Sequence, residues 1–168
     1  MADKQLTENE ATQEFWDHLE STKTAMLGLN VPEHHHQPMT AFCEKETGLI
    51  WFYASTLTDL AQEAATLKNA RLVFTSKDRE VFADVTGTLT AVHSPEHIER
   101  YWSPMVAAWY PEGKEDPHLT MLCFAPSEGR VWVSKHGMVR LAFDIAKANI
   151  TKTPPTHAGT VTDVHFRH

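Results

Sequence analysis

Ser55-Thr56-Leu57-Thr58-Asp59 follows directly on the apolar and aromatic run Leu49-Ile50-Trp51-Phe52-Tyr53-Ala54. A hydroxyl cluster at the start of a helix can do anion chemistry. The first backbone N–H groups of a helix have no internal acceptor, the helix dipole adds partial positive charge there, and Ser55, Thr56 and Thr58 offer further donors. Upstream, Gln37-Pro38-Met39-Thr40 and a short charged turn complete what reads as two strands of a hairpin running into that helix start. The combination suits a phosphate next to a flat aromatic ligand, with the apolar strand as the platform for its rings.

Other chemistries find less support. The His34-His35-His36 triplet offers imidazoles, which bind zinc, copper and nickel. Adjacent residues of an extended segment point to opposite sides, however, and no Cys or carboxylate pattern completes a shell. The sequence therefore assigns no metal site. His93 and His97 are four apart, but Pro95 leaves His93 outside the following helix, and both read as surface residues. The 11 histidines could pair with serines and aspartates on paper, yet no Gly-x-Ser-x-Gly elbow occurs to present a nucleophile. Neither Gly-x-Gly-x-x-Gly nor Gly-x-x-x-x-Gly-Lys is present, so a phosphate must be held by a helix start and hydroxyls.

The elements that position these residues can be read from spacing. Thr7-x-x-Glu10 is a capping box, and Ala11, Phe15 and Leu19 follow at helical spacing, predicting a helix that ends near Ser21. Strands are predicted at Thr24–Leu29, Met39–Cys43, Leu49–Ala54, Arg71–Thr75, Val81–Val92, Leu119–Ala125, Val131–Val133 and Val139–Ile145. Alternation places Val81, Ala83, Val85, Gly87 and Leu89 on one face, and Val139, Leu141, Phe143 and Ile145 on another. A helix after Thr58 would bury Leu60, Ala64 and Leu67. Another begins at Ser94-Pro95-Glu96 and would bury Ile98, Tyr101 and Trp102. Such short apolar runs make an antiparallel barrel or sandwich. Residues 1–150 read as a single domain. Residues 151–168, with Thr153-Pro154-Pro155-Thr156, read as a mobile or loosely paired tail.

A net charge of -7 and a pI near 5.8 exclude a nucleic-acid surface, which needs clustered Lys and Arg. No run approaches the roughly 20 apolar residues of a membrane span, and the N-terminus is too polar for a secretory signal. A cytoplasmic address without membrane attachment is expected. Cys43 and Cys123 lie in apolar strand-like runs and read as buried free thiols.

Pro38-Met39, Trp51-Phe52-Tyr53, Gly87, Trp109-Tyr110-Pro111-Glu112-Gly113 and Asp116-Pro117 occur in this order. On these motifs the chain, over roughly Phe15 to Asn149, resembles the general stress proteins of the pyridoxamine-phosphate-oxidase-like, FMN-binding split-barrel group. That group usually has Arg where Gln37 stands and Lys where Leu60 stands. The resemblance implies a mainly β fold with peripheral helices, a split β-barrel, and a homodimer holding FMN at its interface. Gln37, Pro38, Met39 and Thr40 would then line one edge of the isoalloxazine, and Phe52, Tyr53 and Ala54 would flank the ribityl chain. Ser55, Thr58 and the helix start with Asp59 and Leu60 would take the phosphate, and Trp109 would reach over the flavin. The His34–His36 loop would line the pocket mouth. Three functional classes follow: a flavin oxidoreductase for a small molecule, a non-catalytic flavin-binding or sensing stress protein, and a haem-binding relative. Efficient pyridoxamine-phosphate oxidation is not expected, because the C-terminal segment lacks the arginines that would grip a second phosphate.

Overall fold

The computed structural model describes residues 5–134, 138–152 and 159–167. The capping box forms as its sequence dictates. The Thr7 hydroxyl accepts the Glu10 N–H at 3.2 Å, the Glu10 carboxylate accepts the Thr7 N–H at 2.8 Å, and helix α1 runs Glu8–Thr22. Its buried stripe is Ala11, Phe15, Trp16 and Leu19.

The strands are β1 (Thr24–Leu29), β2 (Gln37–Thr40), β3 (Phe42–Glu44), β4 (Leu49–Ser55), β5 (Lys68–Thr75), β6 (Val81–Val92), β7 (Leu119–Val133) and β8 (Thr160–His165). The short helices are α2 (Asp59–Glu63), α3 (Pro95–Tyr101) and α4 (Pro104–Ala107), and α5 spans Met138–Thr151. All strand pairings are antiparallel, in the order β2-β1-β5-β6-β7-β4-β3, with β8 also on β7. The fold is thus mainly β, a curled antiparallel split barrel with a few helices.

The ends of this order are joined by one residue. β2 pairs with β1, β3 pairs with β4, and only Ala41 lies between β2 and β3. One extended segment therefore starts at one edge of the sheet and finishes at the other, curling the sheet on itself. Gln37–Thr40 and Leu49–Ser55 consequently do not form the hairpin expected from their sequence. The hairpin is β3–β4, and β2 has changed partners. Ala41 is 1% exposed, and its N–H donates to Lys23 O at 2.7 Å, so the bend is packed and hydrogen-bonded.

Inside the barrel lie Leu27, Ile50, Phe52, Leu72, Phe74, Val85, Leu89, Leu122 and Phe124, closed off by the apolar stripe of α1. Phe15 meets Phe74 and Phe166 edge-on. Gly87 marks the place where β6 and β7 shift register, and a Cβ there would stand 2.2 Å from Ala125 O. Only glycine allows so close a crossing.

Several expectations are corrected. Val139–Ile145 is not a strand but part of α5. Its alternation is too short to exclude a helix. Met138, Leu141, Ala142, Ile145 and Ala148 also fit helical spacing, Gly and Pro are absent, and β8 occupies the edge of β7. The predicted tail supplies this β8, which pairs with Glu128–Val133; residues 153–158 lie outside the described residues. The two strands predicted within Leu119–Val133 are one long strand. Leu67 is 66% exposed, because α2 ends at Glu63 and the chain must turn into β5. His97 is no surface residue, for it stacks on Trp51 with ring centroids 3.7 Å apart.

His97 belongs to a polar knot centred on Glu44, which is 7% exposed. One carboxylate oxygen accepts from Thr47 Oγ1 at 2.7 Å and from Trp51 Nε1 at 3.1 Å. The other accepts from Arg100 Nη1 at 2.6 Å and lies 3.4 Å from His97 Nε2. The knot ties the end of β3 to β4 and α3. Burial pushes the Glu44 pKa up, but the hydrogen bonds from Thr47, Trp51 and His97 outweigh it and hold the carboxyl below its ordinary value. E44Q should therefore lose about 2 kcal/mol in urea unfolding at neutral pH. Because the folded pKa is depressed, this contribution is complete above the ordinary carboxylate range and lost as pH falls through the folded value. The gap between wild type and E44Q should narrow in acid, and a gap that is constant with pH would contradict the assignment.

Candidate functional site

Where the barrel closes, it also splits. β3 pairs with β4 only as far as Trp51, so from Phe52 to Ser55 β4 has β7 on one side and, among the described residues, no strand on the other. β2, having turned to β1, likewise has one edge without a strand partner. The two free edges flank a wedge, and β2 and β4 remain in contact at its apex. Each edge leaves backbone N–H and C=O groups at alternate residues for another partner.

The predicted residues distribute themselves around this wedge. On the β2 side Gln37, Pro38 and Thr40 are exposed, while Met39 packs on the core and accepts the Gln37 amide at 3.4 Å to its sulfur. On the β4 side Phe52 is 0% exposed and Ala54 is buried. Both point into the barrel, so what they can offer a ligand is backbone. Tyr53 points the other way, into a second apolar cluster with Ile98, Leu119 and Met121. Its hydroxyl donates to Ile98 O at 2.7 Å, and burial raises its pKa well above the phenol range. Tyr53 is thus a packing residue tied to α3.

The hydroxyl turn resolves into two roles. Thr58 donates to Ser55 O at 2.8 Å and accepts the Ala61 N–H at 3.3 Å, which makes it the N-cap of α2. Ser55 Oγ accepts the Leu57 N–H at 3.2 Å, which leaves its own proton to donate. Thr56 is exposed, and its N–H holds the turn to His118 O at 2.8 Å. Asp59 is exposed on the first turn; with Thr58 as the cap, its carboxylate is not needed there. Leu60 packs against the core. The turn therefore presents hydroxyl and amide donors beside a carboxylate.

Trp109 follows α4 and is 80% exposed, and Met105 and Leu57 are 72% and 65% exposed. Its neighbour Tyr110 packs beside Tyr53 and Trp102. The loop leading from Trp109 to His118 meets the hydroxyl turn through the Thr56 bond, so Trp109 and Ser55 belong to the same end of the sheet. The His34–His36 loop approaches from the other flank. His34 Nε2 lies 3.3 Å from the carboxylate of Glu63, the last residue of α2. His36 packs against Gly28, with its Nε2 buried and without a hydrogen-bond partner among the described residues. No spacing signal distinguishes His36 from its neighbours in the sequence.

Cavities of about 660 Å³ and 450 Å³ lie elsewhere, against the start of α1 and on the outer face of β5, β6 and β7. Neither is lined by the wedge residues. The wedge is an open groove of one chain.

A curled antiparallel sheet that splits between two unpaired edges, with a hydroxyl turn at the mouth, defines the split-barrel class. The chain matches the family model described as pyridoxamine 5'-phosphate oxidase like over residues 10–156 and belongs to that family. It is similar in structure to a general stress protein 26 from Jannaschia sp. CCS1, at 32% identity and a TM-score of 0.81, covering 94% of this chain and 99% of that one. It is also similar to the general stress FMN/FAD binding protein of Xanthomonas citri, at 35% identity and a TM-score of 0.71, covering 77% and 93%. A Clostridium acetobutylicum protein related to general stress protein 26 shares the fold at 21% identity and a TM-score of 0.63, covering 79% and 94%. A search of curated protein sequences gives no significant match.

The two hydroxyls can be separated by experiment. T58A should lose about 1 kcal/mol of stability in urea unfolding, the usual cost of removing an N-cap. S55A should stay within about 0.5 kcal/mol of wild type. Equal losses would place Ser55 in the framework rather than at the wedge.

Proposed function

We propose that the chain is an FMN-binding flavoprotein in which a homodimer holds the flavin along the wedge. The observation that carries this reading is the pair of unpaired strand edges bounded by a turn with free hydroxyl donors. A flavin has a polar rim that needs backbone partners and one terminal phosphate that needs N–H and O–H donors. The 35% identity to a protein described as FMN/FAD binding supports the same ligand. The residues present fit the group: Gln37–Thr40 and the Phe52–Ser55 edge would face the ring and ribityl portions. Ser55, Thr56 and the first amides of α2 would take the phosphate.

The phosphate end has a deficit of charge. Gln37 and Leu60 supply none, and Asp59 adds a carboxylate. A charge-assisted hydrogen bond contributes about 1.5–3 kcal/mol, so affinity should be micromolar. FMN, when bound, supplies the redox chemistry, and the protein supplies position and water exclusion. We assign the chain to flavin-dependent oxidoreduction of a small molecule, without a side-chain acid or base. We do not assign efficient pyridoxamine-phosphate oxidation, which would place a second phosphate in a pocket already short of cations.

The exposed Trp109, Met105 and Leu57 support a second copy as the cover of the open groove, since large apolar side chains clustered at one end of a sheet favour burial. Light scattering should then give twice the 19.0 kDa chain mass. Titration of the full chain by flavin fluorescence should show FMN binding at least about tenfold tighter than riboflavin, with S55A reducing that ratio. Riboflavin binding as tightly as FMN would overturn the phosphate assignment. Reduction of the bound flavin by NADH or NADPH, with reoxidation by a small acceptor, tests the catalytic part.

A further inference from the structure

We propose that His18, Asp78 and Glu80 form a divalent-metal site, best matched to zinc, at the junction of α1 with the β5–β6 turn. One ligand atom from each residue lies within 4.8 Å of the others. The site is at the far end of β6 from α3 and is independent of the flavin wedge. It draws on residues from distant parts of the sequence, joined because the turn packs on α1, where the Lys77 N–H donates to Thr22 Oγ1 at 3.2 Å.

Two of the three donors, His18 and Asp78, are prepared from behind. His18 Nδ1 lies 2.9 Å from Glu14 O, a backbone carbonyl that can only accept. In a neutral ring the Nδ1 proton therefore stays on that side, and the lone pair is left on Nε2. Nε2 faces Asp78 Oδ2 at 3.4 Å. The other Asp78 oxygen, Oδ1, accepts from the Ser76 hydroxyl and from the Glu80 N–H at 3.0 Å, so the carboxylate is oriented by one oxygen and turned to His18 with the other. Ser76 is itself 3% exposed and accepts the Val81 N–H at 3.0 Å. A histidine whose second nitrogen is held by a carbonyl, and a carboxylate whose second oxygen is held by donors, have the outer-shell pattern that orients metal ligands.

The distance leaves room for a shared ion. A charge-assisted N–H···O bond runs about 2.7–2.9 Å, well below the 3.4 Å between Nε2 and Oδ2. Two atoms each about 2.1 Å from a tetrahedral zinc stand about 3.4 Å apart. A nitrogen lone pair turned toward the Asp78 carboxylate is also electrostatically unfavourable until a cation joins them. The Glu14 carboxylate, 3.5 Å from Nδ1, adds to the negative field. Three protein ligands on a partly exposed surface leave a fourth position for water.

The test uses the full chain freed of metal by chelation and titrated with Zn(II) by calorimetry. One zinc per chain is expected. H18Q and D78N should each weaken binding by at least about tenfold, and S76A by about tenfold through the outer shell. H35Q should leave it unchanged, which distinguishes this site from the histidine triplet. Thermal melting of each variant without metal separates loss of ligands from loss of fold. Should a variant fail to fold, the wild-type protein still decides, because Zn(II) must move the ¹⁵N resonance of His18 Nε2. No binding of Zn(II), binding that survives both H18Q and D78N, or an unmoved His18 resonance would overturn the proposal.

Discussion

The rest of the structure depends on the bend at Ala41. An extended segment of Gln37–Glu44 cannot pair with β1 and β4 at once along its whole length, because the two strands lie at opposite ends of the sheet order. It pairs with β1 as far as Thr40 and with β4 from Phe42, and the buried alanine between them takes the change of direction. A small side chain is needed where the backbone turns inside a packed wall. The bend closes the sheet, and by dividing the segment between two partners it leaves each partner half-paired. Closure and the wedge are two consequences of the same constraint.

The second half of that segment is held by charge, not only by packing. Glu44 closes β3 by accepting from Thr47, Trp51 and Arg100, with His97 stacked above Trp51. A buried carboxylate is costly unless its lone pairs are satisfied, and here donors from β4, the β3–β4 turn and α3 all converge on it. β4 is consequently buried on both faces, the barrel on one side and the α3 cluster on the other. That rigidity supports the proposal that the free edge of β4 holds its shape for a ligand.

Local features were legible in the sequence, and partnerships were not. The Thr7–Glu10 and Ser94–Pro95 helix starts and the long alternation of Val81–Val92 are written in adjacent residues, and the structure shows them as read. The ordered motifs from Pro38-Met39 to Asp116-Pro117 led to the family. The exchange of β2 from β4 to β1 depends on contacts across the sheet, which no local pattern records. Val139–Ile145 satisfied two periods at once, and its state was decided by β8 taking the available edge. In the site, the hydroxyl turn was visible, but the division of labour between Thr58 and Ser55 depends on hydrogen-bond geometry. His97 read as a surface residue and Glu44 carried no local signal, because the ring and the carboxylate meet only when α3 packs against β3 and β4.

The central claim is that the wedge between β2 and β4 is where the ligand lies. Amide hydrogen exchange, followed by mass spectrometry with and without saturating FMN, addresses it most directly, because unpaired edge amides exchange quickly until a ligand occupies them. Peptides covering residues 37–40 and 52–59 should gain protection, with the outer face of β5 and β6 unchanged. Protection confined to other segments, or none at these two edges while FMN is bound, would contradict it.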